Sequence, residues 1–324
     1  MKSKLTSLLL LVFAMIGYAA GDQPKPNEWP FFAKLTVRVI DEAAQPIPQA
    51  SVRIGFIRAD TKQQEMTNGE TNVQGEFAAE GYSDMKIGVD ARKAGYYLSG
   101  SAGTVFKDQV EGKWQPWNPT AEIIMRPIGK PVALYAKTGW FEIPAVGQPC
   151  GYDLEKGDWV APWGKGEKSD FSFTLGRRYD SGEDFDVKVE LRFSQPLDGI
   201  QAIELPAIGR NSAFKWPREA PETGYATTLA TRLAHSPAGS YEKTASEEQA
   251  YFFRVRTVEQ NGRITSALYG KIQGGLQLAP SDSKTSKVKL TYYLNPTSLD
   301  RNLEWDTQRN LLGGLGFMES PREP

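Results

Sequence analysis

Two runs of alternating apolar and polar residues meet at one asparagine–glycine pair in YFFRVRTVEQNGRITSALYG (251–270), and no other stretch restricts the fold as strongly. Asn261 and Gly262 tolerate the positive φ angles that a two-residue type I′ turn demands, and the twist of that turn matches two antiparallel strands. Alternation at period 2 sorts side chains onto opposite faces of a strand. The same signature recurs in VKVELRF (187–193), where Val187, Val189, Leu191 and Phe193 oppose Lys188, Glu190 and Arg192. It recurs again in FAKLTVRVID (32–41), with Leu35, Val37 and Val39 on one side and Thr36 and Arg38 on the other. Further strands are predicted around Val52, Ile54 and Phe56, after the TNVQGEF turn (71–77), and in MKIGVDARKAGYY (85–97), TAEIIMRP (120–127), PVALYAKTGWFEIP (131–144), FSFTLGRR (171–178) and KVKLTYYL (287–294). No long period of 3.6 residues occurs; one short helical turn is expected at Ser246–Gln249. Residues 99–119, 206–222 and 236–248 read as loops. The chain is expected to be all-β.

The first residues read as a secretory leader, 1–21. Lys2 and Lys4 precede an apolar run from Leu5 to Ile16, and small residues follow at Gly17, Ala19, Ala20 and Gly21. Cleavage is expected between about Ala19 and Asp22, and the apolar run is short against the roughly 20 residues of a spanning helix. The expectation is an exported protein, periplasmic or extracellular, that does not span a membrane after cleavage. Residues 22–30, with three prolines, read as a linker. Loss of Lys2 and Lys4 takes the net charge from −1 to −3. No basic face stands out, so nucleic acid is not an expected partner. The single cysteine, Cys150, cannot close an internal disulfide and reads as a small buried residue.

About 300 mature residues are enough for two cores. In 31–128, a strand ends at Asp41, a turn carries Pro46 and Pro48, Ala50 precedes Val52, the TNVQGEF turn follows, and Ala94-Gly95-Tyr96 closes the series. This pattern over about 32–127 resembles the carboxypeptidase regulatory-like domain, a seven-stranded sandwich of transthyretin-like (prealbumin-like) shape. The resemblance implies a non-catalytic module, often appended to exported enzymes and surface proteins, with no catalytic residues to carry over. A long insert before Thr120 departs from the family's pattern. The whole chain, through GYDLEKGDWVAPWGKG (151–166) to DRNLEWD (300–306), resembles exported bacterial proteins known mainly by that domain name, a group without an assigned activity. Residues 129–324 read as a second, larger antiparallel sandwich of jelly-roll type. Its tail carries Leu303, Trp305, Leu311, Leu312, Leu315 and Phe317, too apolar to float free, and is expected to pack back.

The residue inventory excludes several chemistries. One histidine, His235, and one cysteine do not make a zinc set, so metallocarboxypeptidase chemistry is not expected. His235 beside Ser236 lacks the elbow of a serine hydrolase and reads as a loop residue. No cofactor is expected, save calcium at YDSGEDFD (179–186), where Asp180, Glu183, Asp184 and Asp186 offer oxygens without the spacing of a known loop.

The 151–166 stretch is the expected contact surface. Trp159 and Trp163, with Tyr152, Asp153 and Asp158, are the ligand-binding candidates, since sugar C–H groups stack on flat aromatic faces. The competing reading is that both indoles plug an end of the sandwich; Trp114 and Trp117 carry the same ambiguity. Asp153, Glu155 and Asp158 also suit a two-carboxylate glycosidase. The functional expectation is therefore a non-catalytic binding or scaffolding protein, with a polysaccharide partner at the Trp159/Trp163 loop. The alternatives are an envelope-protein partner joined by strand-edge pairing and a carboxylate-only hydrolase.

Overall fold

The computed structural model describes residues 31–58, 63–104, 106–205, 211–282 and 284–324; the leader and linker readings lie outside them. The described residues form strands and turns, without helix. Ser246–Gln249, expected as a helical turn, is a single hydrogen-bonded turn, Gln249 N donating to Ser246 O.

The smaller sandwich runs through β1 (Phe31–Ile40), β2 (Ser51–Ile57), β3 (Gln64–Glu70), β4 (Glu76–Ser83), β5 (Lys86–Arg92), β6 (Ser99–Thr104), β7 (Asp108–Val110), β8 (Lys113–Gln115) and β9 (Thr120–Ile124). In β1 the alternation is literal: Phe31, Ala33, Leu35, Val37 and Val39 are buried and Arg38 is exposed. β1 pairs antiparallel with β4 and parallel with β9. The facing sheet has the order β3-β2-β5-β6, and Val52, Ile54, Phe56 and Val89 meet Leu35 and Val37 in one core. Local chemistry sets the turns. Asp41 Oδ1 accepts from Ala43 N and Gln45 N, both at 2.8 Å, which reverses the chain after β1. Gly75 holds φ at +75°, and a Cβ there would stand 2.5 Å from the Val39 carbonyl oxygen.

The insert before Thr120, with residues 99–119 expected as a loop, instead supplies β6 and the β7–β8 hairpin. That hairpin joins β1 through the Phe32–Lys113 pairing and turns Trp114 inward, its Nε1 donating to Ser83 O at 2.9 Å. Trp117 stays half exposed, stacked on Phe32.

The larger sandwich runs through β10 (Val132–Glu142), β11 (Pro149–Asp153), β12 (Asp158–Trp159), β13 (Phe171–Ser181), β14 (Asp184–Phe193), β15 (Gly199–Ile203), β16 (Thr228–His235), β17 (Tyr241–Lys243), β18 (Ala250–Gln260), β19 (Arg263–Gln273), β20 (Gln277–Ala279), β21 (Lys287–Asn295) and β22 (Trp305–Asn310). One sheet has the order β15-β18-β19-β21-β10-β22, with β20 on β21; the other runs β12-β11-β13-β14-β16-β17, nearly a meander. Phe171, Phe173, Val189 and Leu191 of the second sheet pack on Phe253, Leu290 and Tyr292 of the first. The hairpin turn forms as expected, with φ of +53° at Asn261 and +73° at Gly262. His235 is not in a loop: it ends β16, between the rings of Phe185 and Tyr241.

Ala250 to Val255 are buried without a break. The reason is that the seven-stranded sheet is covered on both faces. Its inner face meets the six-stranded sheet. Over one end of its outer face, Phe214, Trp216, Ala220 and Leu303 cover Phe252 and Tyr269, while Trp305 covers Leu134, Ala136 and Tyr293. The tail thus packs back in its first half, where β22 lies parallel to β10, whereas Leu311 and Phe317 are exposed.

The two sandwiches meet through specific contacts. Arg126 donates to the carbonyls of Phe214 (2.9 Å) and Trp216 (2.7 Å), and Tyr97 stacks on Phe214. Glu304, almost fully buried, accepts from Tyr97 Oη at 2.7 Å, Gly129 N at 2.7 Å and Lys130 N at 3.0 Å.

Candidate functional site

The 151–166 stretch links β11 to β12 and returns toward β13, and its two aspartates are committed to backbone N–H groups. Asp153 Oδ1 accepts from Glu155 N (3.0 Å) and Lys156 N (3.1 Å), and Oδ2 from Glu167 N (2.9 Å) and Lys168 N (3.0 Å). Burial pushes its pKa up, but these four donors together outweigh burial and hold it below the ordinary carboxylate range. Asp158 accepts from Trp159 N (2.8 Å) and Lys165 N (2.9 Å). Glu155 lies 2.7 Å from Arg256 Nη1. A Cβ on Gly164 would come within 2.3 Å of the Trp159 carbonyl oxygen, so the loop closes this tightly only with glycine there. An ionised carboxylate whose lone pairs are filled by four N–H groups is a poor proton donor or nucleophile, so Asp153 organises the loop.

Tyr152 and Trp159 correct the expectation of a paired indole platform. Tyr152 is buried, and Trp159, 9 % exposed, meets Tyr152 and Phe173 edge-on in the core. Trp163, 36 % exposed, is the stretch's one indole at the surface. The pleat explains the split, because Trp159 pairs with Tyr152 across β11–β12 and follows it inward. Cys150, on the same strand, is buried, and burial raises its thiol pKa.

The calcium expectation at 179–186 is also corrected. Arg178 bonds Asp180 and Asp184, Arg232 holds Asp186 through Nε (2.9 Å) and Nη2 (2.8 Å), and Glu183 is exposed at the turn. Guanidinium groups from β13 and β16, the strands flanking β14, thus engage three of the four carboxylates. Among the described residues no group of three or more His, Cys, Asp or Glu has the arrangement of a metal site.

A cleft of about 620 Å³ lies elsewhere, on the outer face of the seven-stranded sheet. Its position follows from the register. Leu134, Ala136, Thr138 and Trp140 of β10 alternate onto that face, while Tyr135 and Phe141 point to the inner core. Ala136 pairs with Tyr293, which pairs with Lys271, and this row is covered. The next row, Thr138 and Thr291, joins its hydroxyls at 2.5 Å on the cleft floor. The row after that is Trp140, Lys289 and Gln277, and here the face is open, with Trp140 48 % exposed.

The C-terminal segment forms the other wall. Thr138 N donates to Glu319 O (2.9 Å) and Tyr293 Oη to Glu323 O (2.9 Å), which fixes the segment across the sheet. Phe317, 75 % exposed, stands on the rim with the Arg322 guanidinium 4.1 Å from its ring centre. Trp140 is the residue that sequence reasoning passed over. Adjacent aromatics at 140 and 141 face opposite ways on a strand, and Trp140 shares its face with Leu134 and Ala136, which is the outer face because Trp305 covers them from that side.

No protein-family model matches the chain, that of the carboxypeptidase regulatory-like domain included, and no curated protein matches it. Several solved structures show similarity, two of them as follows. A candidate carbohydrate-binding protein from Bacteroides uniformis is 9 % identical, with 81 % of this chain and 98 % of that one covered and a TM-score of 0.20. The shaft pilin spaA from Lactobacillus rhamnosus GG is 10 % identical, with 80 % and 92 % covered and a TM-score of 0.22. Likeness at this level carries no argument about the site.

Proposed function

We propose that this chain is an exported, non-catalytic carbohydrate-binding protein whose ligand lies in the outer-face cleft of the seven-stranded sheet, against Trp140. The reading rests on one observation: an indole 48 % exposed on a rigid strand, in register with Lys289 and Gln277 beside a polar-floored cleft. A pyranose offers apolar C–H faces and a rim of hydroxyls. The first suits an exposed aromatic ring and the second suits Thr, Gln and Lys side chains. Export follows from the leader reading of residues 1–21. The smaller sandwich serves as the appended module that the resemblance to the carboxypeptidase regulatory-like domain implies.

Affinity electrophoresis of the mature chain through gels holding neutral and acidic polysaccharides tests this. At least one polymer retards the protein, Trp140→Ala abolishes the retardation, and Trp163→Ala does not. The opposite pattern transfers the site to the 151–166 loop. Retardation by no polymer overturns the carbohydrate reading. The scaffolding alternative would then stand on β3, which among the described residues pairs with β2 alone, leaving the edge Gln64–Glu70 for strand addition.

A further inference from the structure

We infer that the polymer read by this cleft is acidic, a uronate-containing polysaccharide whose carboxylate is met by Arg322; the inference rests on the cleft reading above. Four charged side chains line the cleft: Glu247, Lys289, Arg322 and Glu323. Three have partners. Glu247 accepts from Gln277 Nε2 at 3.1 Å and lies 3.7 Å from Lys289 Nζ. Glu323 accepts from Gln273 Nε2 at 3.1 Å and from Lys215 Nζ at 3.4 Å. Arg322 is different. Its guanidinium lies over the Phe317 ring, and no carboxylate among the described residues pairs with it.

A guanidinium stacked on an aromatic ring keeps its N–H edge free and loses little freedom when that edge is used. The edge matches a carboxylate in two parallel hydrogen bonds. The Lys289–Glu247 pair is partly exposed and loose, so it yields Lys289 to a second anionic group at little cost. With Glu247 held by Gln277 and Lys289, and Glu323 by Gln273 and Lys215, the cleft keeps surplus N–H donors on Arg322 beside the exposed ring of Phe317, one row of the sheet away from Trp140. A neutral chain leaves that surplus unused, whereas a chain with a carboxylate on each sugar satisfies it.

The test uses matched polymers: polygalacturonate, alginate and hyaluronan, each beside its carboxyl-reduced or methyl-esterified counterpart. Binding of the mature chain is measured by affinity electrophoresis and calorimetry. At least one acidic polymer binds roughly tenfold or more tighter than its neutral counterpart, the scale of one charge-assisted contact. Arg322→Gln brings that ratio close to one, and raised salt narrows it in the native protein. Equal affinity for acid and neutral forms overturns the inference and leaves the carbohydrate reading standing. A ratio unchanged in Arg322→Gln also overturns it. Failure of every acidic and neutral polymer to bind removes both readings together.

Discussion

The guanidinium of Arg256 meets the carboxylate of Asp170 in two hydrogen bonds, Nε to Oδ1 at 2.7 Å and Nη2 to Oδ2 at 2.8 Å. Arg256 sits at φ +56° in the irregular part of β18, where pairing with β19 shifts register. Asp170 is buried; burial pushes its pKa upward against the pull of Arg256 and the Leu154 N–H. The same guanidinium holds Glu155, so one strained arginine fastens both ends of the 151–166 loop to the core. Asp170→Asn removes the two-bond pair but leaves the guanidinium on Glu155, and is expected to cost about 1.5–3 kcal/mol in urea unfolding, the scale of hydrogen bonds to a charged group. Arg256→Lys is expected to cost a similar amount, because one ammonium cannot span both acids. Losses under about 1 kcal/mol in both variants would show that the loop is held by something else.

The two indoles of that loop separate by stability. Trp159→Ala empties a site among Tyr152 and Phe173 and is expected to cost about 3–5 kcal/mol. Trp163→Ala, at the surface, is expected to change stability by less than about 1 kcal/mol. Thermal or urea melts of the two variants read this directly, and equal losses would contradict the inward placement of Trp159.

Sequence patterning reached the strands whose two faces differ in polarity, such as β1 and β14, and the hairpin whose turn needs Asn261 and Gly262. It passed over β3, where QEMTNGE is exposed and carries no apolar face. It also passed over β16, where small Thr and Ala residues blur the alternation. In β18 the covering of both faces turned alternation into a continuous run. The site was least legible, for a physical reason. A carboxylate that accepts backbone N–H groups, as Asp153 does, has the same composition as one that faces water. Which of Trp140 and Phe141 faces solvent depends on what covers each face, and that is decided by Trp305 and the C-terminal segment far along the chain.

Lys271 gives a pH dependence with a definite sign. It is fully buried among Phe214, Trp216 and Tyr293, its Nζ 4.6 Å from the Tyr293 ring centre and donating to Leu303 O at 2.9 Å. Burial pulls its pKa down to about 7, with Glu304 opposing and Arg126 adding to the shift. The unfolded chain keeps its proton up to about pH 10.4. Between these values the unfolded state binds more protons, so stability rises with pH by up to about 1.4 kcal/mol per unit. Below about pH 7 both states are charged and the contribution is flat. Lys271→Met is expected to stabilise the protein at neutral pH and to remove this slope. Urea titrations of both proteins from pH 6 to 10 check it, and parallel curves would place the folded pKa near that of a free lysine.

Trp140 separates binding from stability. Its indole is half exposed and stands on the open row of the sheet, so truncation leaves no cavity in the core. Trp140→Ala is expected to shift unfolding by no more than about 0.5 kcal/mol and to weaken polysaccharide binding by at least about tenfold, the loss of one stacked ring. Trp140→Phe keeps a flat ring of smaller area and is expected to fall between the two. The order Trp, Phe, Ala is what stacking predicts. A phenylalanine variant as weak as alanine would instead assign the indole N–H, a donor to a sugar hydroxyl, as the group that matters.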